Sequence, residues 1–385
     1  MSDAPAIAVS AALTQRPAHG GHTWAILQYL LGFRRLGFRV LFIDRLEASM
    51  LSDGGAPIPV EASPNYTFLR GLMSRFGLDG NYALLTDGGR SCLGLDREAI
   101  VELAGRRCVL FNVMGYLDDE QLLAAFDQRV FVDIDPGFSQ MWHQLGLHDA
   151  YTGHDQFVTV AENIGRPECA IPTCGLDWKT TRPPVVLSEW PLQSGAPPRF
   201  TSVVTWRGPN GPLQFEGTTF GLRAHEFRKF TALPWATGAD FELVLDIDPA
   251  DATDRDALVD SGWTVCAPQV TANPDAYRAY VQSSRAELMV AKNMYVKSRS
   301  GWFSDRSACY LASGRPVVAQ DTGWAANHPA RDGLLTFRTC DEAAEAVADV
   351  EARYDIHSSA ARELACELFD SDRVLPDLLS AVGFN

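Results

Sequence analysis

The segment richest in chemically useful side chains is KSRSGWFSDRSACYLASGRPVVAQDTGW, residues 297–324. Its first part is predicted to be a polar loop, and a helix is predicted over residues 304–312. A helix start presents unpaired backbone N–H groups and the positive end of the helix dipole, which together attract phosphate. The segment therefore predicts a small anion site, sized for a diphosphate, with Lys297, Arg299 and Arg306 as its cations.

Polar groups around that helix start complete the predicted anion site. Serine hydroxyls can donate hydrogen bonds to phosphate oxygens, and a glycine turn after the next strand lets a ligand approach the backbone closely. The predicted binding residues of this segment are Lys297, Arg299, Ser300, Gly301, Ser304, Asp305, Arg306, Ser307, Thr322 and Gly323. The competing interpretation is an ordinary capped helix whose arginines are solvated.

A second candidate site lies near the amino terminus, where RPAHGGHT occupies residues 16–23 after the first predicted strand. Histidine titrates near neutral pH, so a histidine at a cleft is a natural base for a hydroxyl proton. We predict His22 as that base and His19 as the second choice, oriented by a carboxylate that is Asp133, Asp135 or Asp155. The competing interpretation is a capping or surface histidine.

The motif Asp-Ile-Asp-Pro occurs twice, at residues 133–136 and 246–249, and closes a predicted strand each time. It can be a strand-to-helix turn with Asp as the cap and Pro in the first helical turn. Two carboxylates one residue apart can instead converge on a divalent cation. We favour the turn for Asp246 and Asp248 and leave Asp133 and Asp135 open, with Asp135 as a candidate catalytic residue.

Strand-like and helix-like segments alternate along both halves of the chain. The first half has strand patterns at 6–13, 38–44, 82–86, 108–114, 130–135 and 157–161, with helices at 23–36, 66–76, 97–104 and 119–126. The second half has strands at 200–206, 241–246, 264–267, 287–291 and 316–319, with helices at 221–230, 255–261, 275–283, 304–312 and 342–354 and two more after residue 356. Strands that are apolar on both faces and alternate with helices predict α/β domains with mainly parallel sheets.

A proline-rich stretch, RPPVVLSEWPLQSGAPPR at residues 182–199, interrupts this alternation. Proline stiffens a chain and removes backbone donors, which is typical of an interdomain linker. We therefore predict an amino-terminal domain over 1–190, a second α/β domain over 191–360, and a carboxyl-terminal helix over 361–385 that packs back on the first domain. The two α/β domains are expected to face each other across a cleft.

The composition limits the partners. The chain has 385 residues and a formal net charge of -15, which disfavours a nucleic-acid face or an anionic membrane as a partner. No stretch approaches the ~20 apolar residues that span a bilayer, and the eight cysteines show no zinc spacing, so we expect a cytoplasmic protein. The glycine fingerprint of dinucleotide sites, the P-loop and the nucleophile elbow are all absent from the sequence.

The order of strand, Ser/Gly-rich loop, short helix and ASGRPVVAQDTG at residues 312–323 resembles the donor-binding half of glycosyltransferases of the GT-B fold, of the family 1 and family 4 kind. That resemblance implies two Rossmann-like domains and a metal-independent hexosyltransferase that needs no cofactor beyond its nucleotide diphosphate sugar. It implies a small-molecule acceptor, as in natural-product biosynthesis. Trp142, Tyr116 and Phe138 suggest an aromatic or apolar acceptor.

The resemblance also assigns residues outside the 297–324 segment. Arg207 follows the first strand of the second half, where the superfamily often has a basic residue that reaches the diphosphate. Gly20 and Gly21 correspond to a Gly-Gly loop that contacts the donor or positions the acceptor. Retaining members carry two glutamates that here align with Gly301 and Cys309, so the sequence leaves the stereochemical outcome open.

Three other functions share parts of this pattern. A non-hydrolysing sugar-nucleotide epimerase has the same two-domain fold and needs no acceptor. A two-domain sugar-binding protein has the same cleft, and a GT-A enzyme would use Asp246 and Asp248 with manganese. The nucleobase, the sugar, the acceptor and the oligomeric state do not follow from the sequence.

Overall fold

The computed structural model describes residues 5–51, 58–193, 195 and 198–384, and its first half is built on one eight-stranded sheet. The strands of this sheet are β1 (Ala6–Ser10), β2 (Arg39–Arg45), β3 (Tyr82–Thr86), β4 (Ser91–Gly94), β5 (Cys108–Val113), β6 (Gln128–Asp133), β7 (Gln156–Thr159) and β8 (Trp178–Thr180). Their spatial order is β4-β3-β2-β1-β5-β6-β7-β8. Neighbouring strands are parallel, apart from the antiparallel pair of β3 and β4.

Helices cover both faces of this sheet. They are α1 (Gly20–Arg35), α2 (Pro64–Arg75), α3 (Arg97–Ala104), α4 (Glu120–Ala125) and α5 (Phe138–Gln144). Side-chain caps explain three of the starts, because Ser63, Asp96 and Asp119 each accept a hydrogen bond from a backbone N–H in the first turn. Strands β1, β3 and β5 are buried at every residue, as the uninterrupted apolar runs predict.

The second half contains a six-stranded parallel sheet and a short hairpin. In chain order the strands are β9 (Arg199–Thr205), β10 (Leu213–Phe215), β11 (Thr218–Phe220), β12 (Asp240–Asp246), β13 (Trp263–Cys266), β14 (Ala286–Met289), β15 (Val317–Gln320) and β16 (Leu334–Phe337). The sheet has the order β13-β12-β9-β14-β15-β16, and β10 and β11 form the hairpin.

The second half also carries nine of the helices that the structure describes. They are α6 (Arg223–Phe227), α7 (Leu233–Thr237), α8 (Ala252–Asp260), α9 (Pro274–Gln282), α10 (Asn293–Ser298), α11 (Asp305–Ala312), α12 (Cys340–Ala352), α13 (Tyr354–Leu368) and α14 (Ser371–Ala381). The last helix returns to the first half, where Leu375 lies against Gly32 and Asp372 accepts hydrogen bonds from Arg35.

Two mainly parallel sheets confirm the predicted α/β class, and each predicted strand overlaps an observed one. The sequence pattern did not predict β4, β8, β16 or the hairpin, because each of these strands has only three or four residues. The prediction of a polar loop was also wrong for Lys297 and Ser298, which form the last two residues of α10.

The predicted linker connects the two sheets. Its residues Ser194, Ala196 and Pro197 lie outside the described residues, as do the chain ends of the predicted domains. Trp190 is buried and packs on Trp24 of α1, with ring centroids 5.0 Å apart, and on Tyr277 of α9. The boundaries at 190/191 and 360/361 stay predictions.

The strand order places the functional edge of each sheet. In both sheets the order reverses between two neighbouring strands, at β1/β5 in the first and at β9/β14 in the second. Ligands of open α/β sheets bind outside the carboxyl ends of the strands at such switch points. The residues that follow these strands line the cavities between the two sheets.

Candidate functional site

Three connected cavities lie between the two sheets. The C-edge cavity, about 210 Å³, lies at the ends of β9 and β12 and at the start of α1. The central cavity, about 280 Å³, lies between α1 and the start of α11. The N-edge cavity, about 500 Å³, lies at the ends of β5 and β6. His22, Thr205 and Arg223 line all three, so they form one continuous cleft.

Arg223 is the most unusual side chain of this cleft. Its Nε donates to the carbonyl of Val290 at 3.2 Å and its Nη1 to the carbonyl of Thr205 at 3.3 Å, so it bridges the ends of β14 and β9. Arg223 is 9% exposed and makes no ion pair with any described carboxylate. Burial, with a contribution from neighbouring Arg306, lowers the pKa of Arg223 to about 10. A buried cation without a carboxylate partner is costly, and an anion bound in the cleft would compensate its charge.

Arg306 also connects β14 and β9, at positions further from the carboxyl ends of these strands. Its Nε donates to Glu287 on β14 at 2.5 Å, and its Nη1 donates to the carbonyl of Val203 on β9 at 2.9 Å. Burial opposes the charge of Arg306, but Glu287 holds the pKa of Arg306 above its usual range. Its Nη2 has no partner among the described residues, and Arg306 lines both the C-edge and the central cavities.

The start of α11 lies at the cleft beside these arginines. Ser304 occupies the cap position of α11, but its side chain caps no backbone N–H, and it lines the central cavity. Asp305 follows in the first turn and lines the central and C-edge cavities, and burial raises its pKa. Ser307 is buried with its hydroxyl unpartnered within the described chain. The start of α11 therefore lies where it was predicted.

The glycines at the start of α1 serve a purpose that the sequence did not predict. A Cβ on Gly20 would lie 2.5 Å from the backbone oxygens of Thr271 and Asn273, and one on Gly21 would lie 3.0 Å from the ring of Tyr277. These glycines let α1 approach the second half of the chain closely, and they also line the C-edge cavity. His19 precedes them at the uncapped helix start, and burial lowers its pKa.

The orientation of His22 is set by the backbone. Its Nε2 lies 2.6 Å from the carbonyl of Ala12, and because a carbonyl can only accept, Nε2 carries the proton and Nδ1 keeps the lone pair. Burial lowers the pKa of His22, so the ring is neutral at neutral pH. The predicted orienting carboxylates do not bond to it: Asp133 pairs with Gln140 and Thr159, and Asp155 pairs with Arg129.

Asp135 stands at the wall shared by the central and N-edge cavities. Lys292 donates to its Oδ2 at 2.5 Å, and the Tyr295 hydroxyl donates to its Oδ1. Burial alone would raise the pKa of Asp135, but these two partners hold it below its usual range. Asp133 is fully buried, and burial raises its pKa to about 7. The two carboxylates of the first Asp-Ile-Asp-Pro motif therefore have different surroundings.

The described residues contain no cluster of three or more His, Cys, Asp or Glu side chains that could hold a metal ion. In the second Asp-Ile-Asp-Pro motif, Asp248 caps a short helical turn by accepting from the N–H of Ala250. Asp246 lines the C-edge cavity beside His19. The cap that the sequence analysis favoured for this motif is confirmed at Asp248.

Two predicted cations lie away from the cleft. Lys297 is on α10, exposed, and donates to the carbonyl of Thr219 at 2.8 Å. Arg299 ends α10 in a left-handed conformation, with φ of 50°, and is also exposed. Neither lines any of the three cavities, so the prediction that both neutralise an anion at the start of α11 was wrong. The reason is that Lys297 lies in α10 and Arg299 at its end, where the sequence pattern predicted a loop.

Four other predicted binding residues lie at, or next to, a contact between Asn163 of the first half and the second half. Asn163 of the first half donates its backbone N–H to the carbonyl of Ser300 and its side-chain amide to the carbonyls of Arg299 and Gly323. A Cβ on Gly301 would lie 2.9 Å from the Asn163 side chain, so this position cannot hold a glutamate. Thr322 donates to the carbonyl of Trp302 at 2.6 Å. Ser300, Gly301, Thr322 and Gly323 line none of the three cavities.

Arg207 lies at the rim of the N-edge cavity rather than beside Arg306. It is 47% exposed and forms a bidentate pair with Asp251, with both N–O distances 2.5 Å. Its charge is thus already matched. Cys309, at the other glutamate position of the resemblance, is buried and lines the central cavity beside Gln28.

Three site residues were absent from the predictions: Arg223, Lys292 and Tyr295. Lys292 follows β14 at a switch point, so the rule that ligands bind at strand ends could have identified it. Tyr295 follows one helical turn later. No local signal identifies Arg223, because its role comes from the two carbonyls that the tertiary fold brings beside it.

Comparison with known proteins adds fold relatives. No family model matches the chain, and no curated protein sequence matches it. Three of the similar solved structures are the sucrose-phosphate synthase of Thermosynechococcus elongatus, Anabaena HepE in complex with UDP and glucose, and an alpha-glucosyltransferase in complex with UDP and a 13-mer DNA. Their TM-scores are 0.58, 0.57 and 0.57, at 12%, 13% and 12% sequence identity. Each match covers 98% of this chain, and 98%, 100% and 99% of the other chain.

The chain has the GT-B fold. The fold that the resemblance at residues 312–323 predicted is thereby confirmed over nearly the whole chain. In this GT-B chain the cleft between the sheets holds Arg223 and Arg306, whereas Lys297 and Arg299 lie outside it. No helix in the described ranges is long and apolar enough to cross a membrane.

Proposed function

We propose that this chain is a glycosyltransferase that moves a sugar from a nucleoside diphosphate sugar to a small-molecule acceptor. The observation that carries the proposal is Arg223, a buried guanidinium with no carboxylate partner among the described residues, fixed across the two switch-point strands. A diphosphate supplies the missing negative charge. The UDP complexes of similar structures, HepE and the alpha-glucosyltransferase, are consistent with that ligand.

The same groups would stabilise the leaving diphosphate. As the bond between the sugar and the phosphate oxygen breaks, negative charge develops on the diphosphate, and Arg223, Arg306 and the start of α11 are fixed around the C-edge and central cavities. Stabilisation by fixed side chains and backbone N–H groups needs no metal ion, so we propose a metal-independent reaction. The donor would then place its sugar in the central cavity.

His22 and Asp135 are the proposed catalytic pair at the boundary of the sugar and acceptor cavities. Neutral His22 has its basic Nδ1 available and would take the proton of the acceptor hydroxyl. Asp135, charged and held by Lys292 and Tyr295, would stabilise positive charge on the sugar ring in the transition state. His19, at the start of α1, would contact the donor in the C-edge cavity.

Calorimetric titration with UDP, GDP, dTDP and ADP tests the proposal. We expect one of them to bind, and Arg223→Gln to weaken its binding by about 10- to 100-fold, the scale of a hydrogen bond to a charged group. Arg228→Gln is the matched control, because Arg228 is nearby but exposed and paired with Asp254. Absence of binding by all four nucleotides would contradict the proposal.

Incubation of the chain with the matching nucleotide sugar distinguishes a glycosyltransferase from an epimerase and from a sugar-binding protein. A glycosyltransferase transfers the sugar only when an acceptor is present and releases the nucleoside diphosphate. An epimerase changes the sugar of the donor with no acceptor added. A protein that binds free sugars but none of the four nucleotides would be a sugar-binding protein.

A further inference from the structure

The N-edge cavity is the largest of the three cavities in the cleft, and the proposed function leaves it for the acceptor. At about 500 Å³ it falls within the usual range for small-molecule sites. Its walls come from the ends of β5 and β6 and from α5 in the first half, and from Pro209 and Lys292 in the second half. It meets the central cavity at Ile134 and Asp135.

The backbone at the floor of this cavity is left-handed at two successive residues. Met114 follows β5 with φ of 56°, and Gly115, for which this conformation carries no steric cost, has φ of 69°. A left-handed conformation is costly for a residue with a long side chain, and such strain is concentrated at functional sites. The Met114 sulfur accepts from the backbone N–H of Ile134 at 3.4 Å, which places its apolar side chain across the ends of β5 and β6.

Aromatic rings form the outer wall. Phe138 and Trp142 lie four residues apart on α5, with ring centroids 5.5 Å apart, and Tyr116 lines the same cavity while 40% exposed. A Cβ on Gly137 would lie 2.6 Å from the sulfur of Met294, so glycine lets the start of α5 contact the second half. The indole N–H of Trp142 forms no hydrogen bond within the described chain, and Trp142 lines the cavity.

The charges of the cavity are mostly matched by the chain itself. Lys292 pairs with Asp135, Arg45 with Asp118 and Arg207 with Asp251, each at 2.5 Å. Arg16 and Arg223, which have no carboxylate partner among the described residues, also line the C-edge cavity and so face the donor. The wall far from the donor therefore has rings, paired charges and the imidazole of His148, and among the described residues it offers an acceptor no carboxylate, ammonium or guanidinium group that lacks a partner.

We propose that the acceptor is an uncharged aromatic alcohol whose ring lies against Phe138, Trp142 and Tyr116. This inference rests on the proposed function. In the transfer, the bond from the anomeric carbon to the phosphate oxygen breaks, and its electron pair leaves with the diphosphate. The bond from the anomeric carbon to the acceptor oxygen forms, and the hydroxyl proton goes to Nδ1 of His22.

The proposal is tested with four acceptors, each supplied together with the nucleotide sugar that the chain hydrolyses or transfers. The acceptors are β-naphthol, the matching hydroxynaphthoate, glucose and a 13-mer DNA duplex. We expect kcat/KM for β-naphthol to exceed that for each of the other acceptors by at least about 10-fold, a factor that one well-placed contact can supply. A carboxylate on the ring would lose its hydration without gaining a partner. A preference for the hydroxynaphthoate, glucose or DNA would overturn the inference.

Variants of Trp142 locate the ring. Trp142→Ala should raise KM for β-naphthol by about 10-fold, whereas Trp142→Phe should keep KM within about threefold. Trp235→Ala is the control, because Trp235 is 69% exposed and lines none of the three cavities. An unchanged KM in Trp142→Ala would overturn the placement of the ring.

The two proposals fail in different ways. If the chain binds no nucleoside diphosphate and hydrolyses no nucleotide sugar, the proposed function is wrong and the acceptor proposal is wrong with it. If the chain hydrolyses the donor but leaves β-naphthol unmodified, the acceptor proposal is wrong and the proposed function stands.

Discussion

The carboxyl ends of the two sheets differ in the charge that they bury. At the second sheet, Arg223 and Arg306 bridge β9 and β14, and Arg223 has no carboxylate partner among the described residues. At the first sheet the buried charged groups are acids: Asp44 accepts from the N–H groups of Leu13 and Thr14, and Asp133 accepts from Gln140.

This difference assigns a task to each side of the cleft. Unpaired guanidinium groups attract an anion, whereas the carboxyl groups of Asp44 and Asp133 already have their donors and hold the surrounding chain in place. The C-edge cavity therefore suits the diphosphate of a donor, and the N-edge cavity, with its rings and paired charges, suits a neutral acceptor. Four predictions test the two sides of the cleft and the contact between them.

Removal of one partner of the Arg306–Glu287 pair should have the largest effect. Arg306→Gln leaves Glu287 buried with no cation, and we expect the free energy of unfolding to fall by about 3–5 kcal/mol in urea denaturation. The double variant Arg306→Gln/Glu287→Gln should recover part of that loss, because it leaves no charge unpaired. A loss in Arg306→Gln below ~1 kcal/mol would contradict the account of this pair.

His22→Gln tests the base that lies between the two sides. We expect turnover to fall by about 100-fold or more while donor affinity changes by less than about twofold, since only the proton transfer is lost. The pKa of His22 is lowered by burial, so the wild-type rate should decline only below about pH 6.5, and the variant should lose that acid limb. His143→Gln, outside the three cavities, is the control; equal turnover in His22→Gln and wild type would exclude this role.

Gly20→Ala tests the close contact between α1 and the second half. The added Cβ would meet two backbone oxygens at 2.5 Å, and backbone cannot move aside as a flexible side chain can. We expect a loss of about 2–3 kcal/mol in the free energy of unfolding. Gly71→Ala on α2 is the matched control, because its Cβ meets open space and alanine favours the helix by about 1 kcal/mol. Equal stabilities of the two variants would show that the contact at Gly20 is loose.

The buried acids of the first sheet should give the smallest effect, on the pH dependence of stability. Burial raises the pKa of Asp44 to about 6 and that of Asp133 to about 7, so each of these two groups holds its proton more tightly in the folded chain than in the unfolded chain. Each group therefore lowers the free energy of unfolding as pH rises from about 4 to 7. Asp44→Asn removes one of the two contributions, so its free energy of unfolding should rise by about 2 kcal/mol relative to wild type over this range. A difference between Asp44→Asn and wild type that does not change with pH would contradict the raised pKa of Asp44.

The sequence predicted the elements of the fold better than the site. Long apolar runs such as β5 determine a buried strand locally, and the start of α11 was found because Ser304 and Asp305 are typical first-turn residues. Lys297 and Arg299 were misplaced because one short helix, α10, turns them outward.

Arg223 was missed for a different reason. Its neighbours in sequence look like an ordinary amphipathic helix, and its role depends on carbonyls 18 and 67 residues away in the chain. Gly20 gave the correct signal, a close approach of backbone, but the partner is Asn273 of the second half rather than only a ligand. Long-range contacts of this kind leave no local pattern.

The central claim is that Arg223 binds the diphosphate, and the most direct test compares a nucleoside diphosphate with its monophosphate. In calorimetric titration, both the wild type and Arg228→Gln should bind the diphosphate at least about 10-fold more tightly than the monophosphate. In Arg223→Gln the two affinities should differ by less than about threefold, because the group that distinguishes them is gone. An undiminished preference for the diphosphate in Arg223→Gln would contradict the claim.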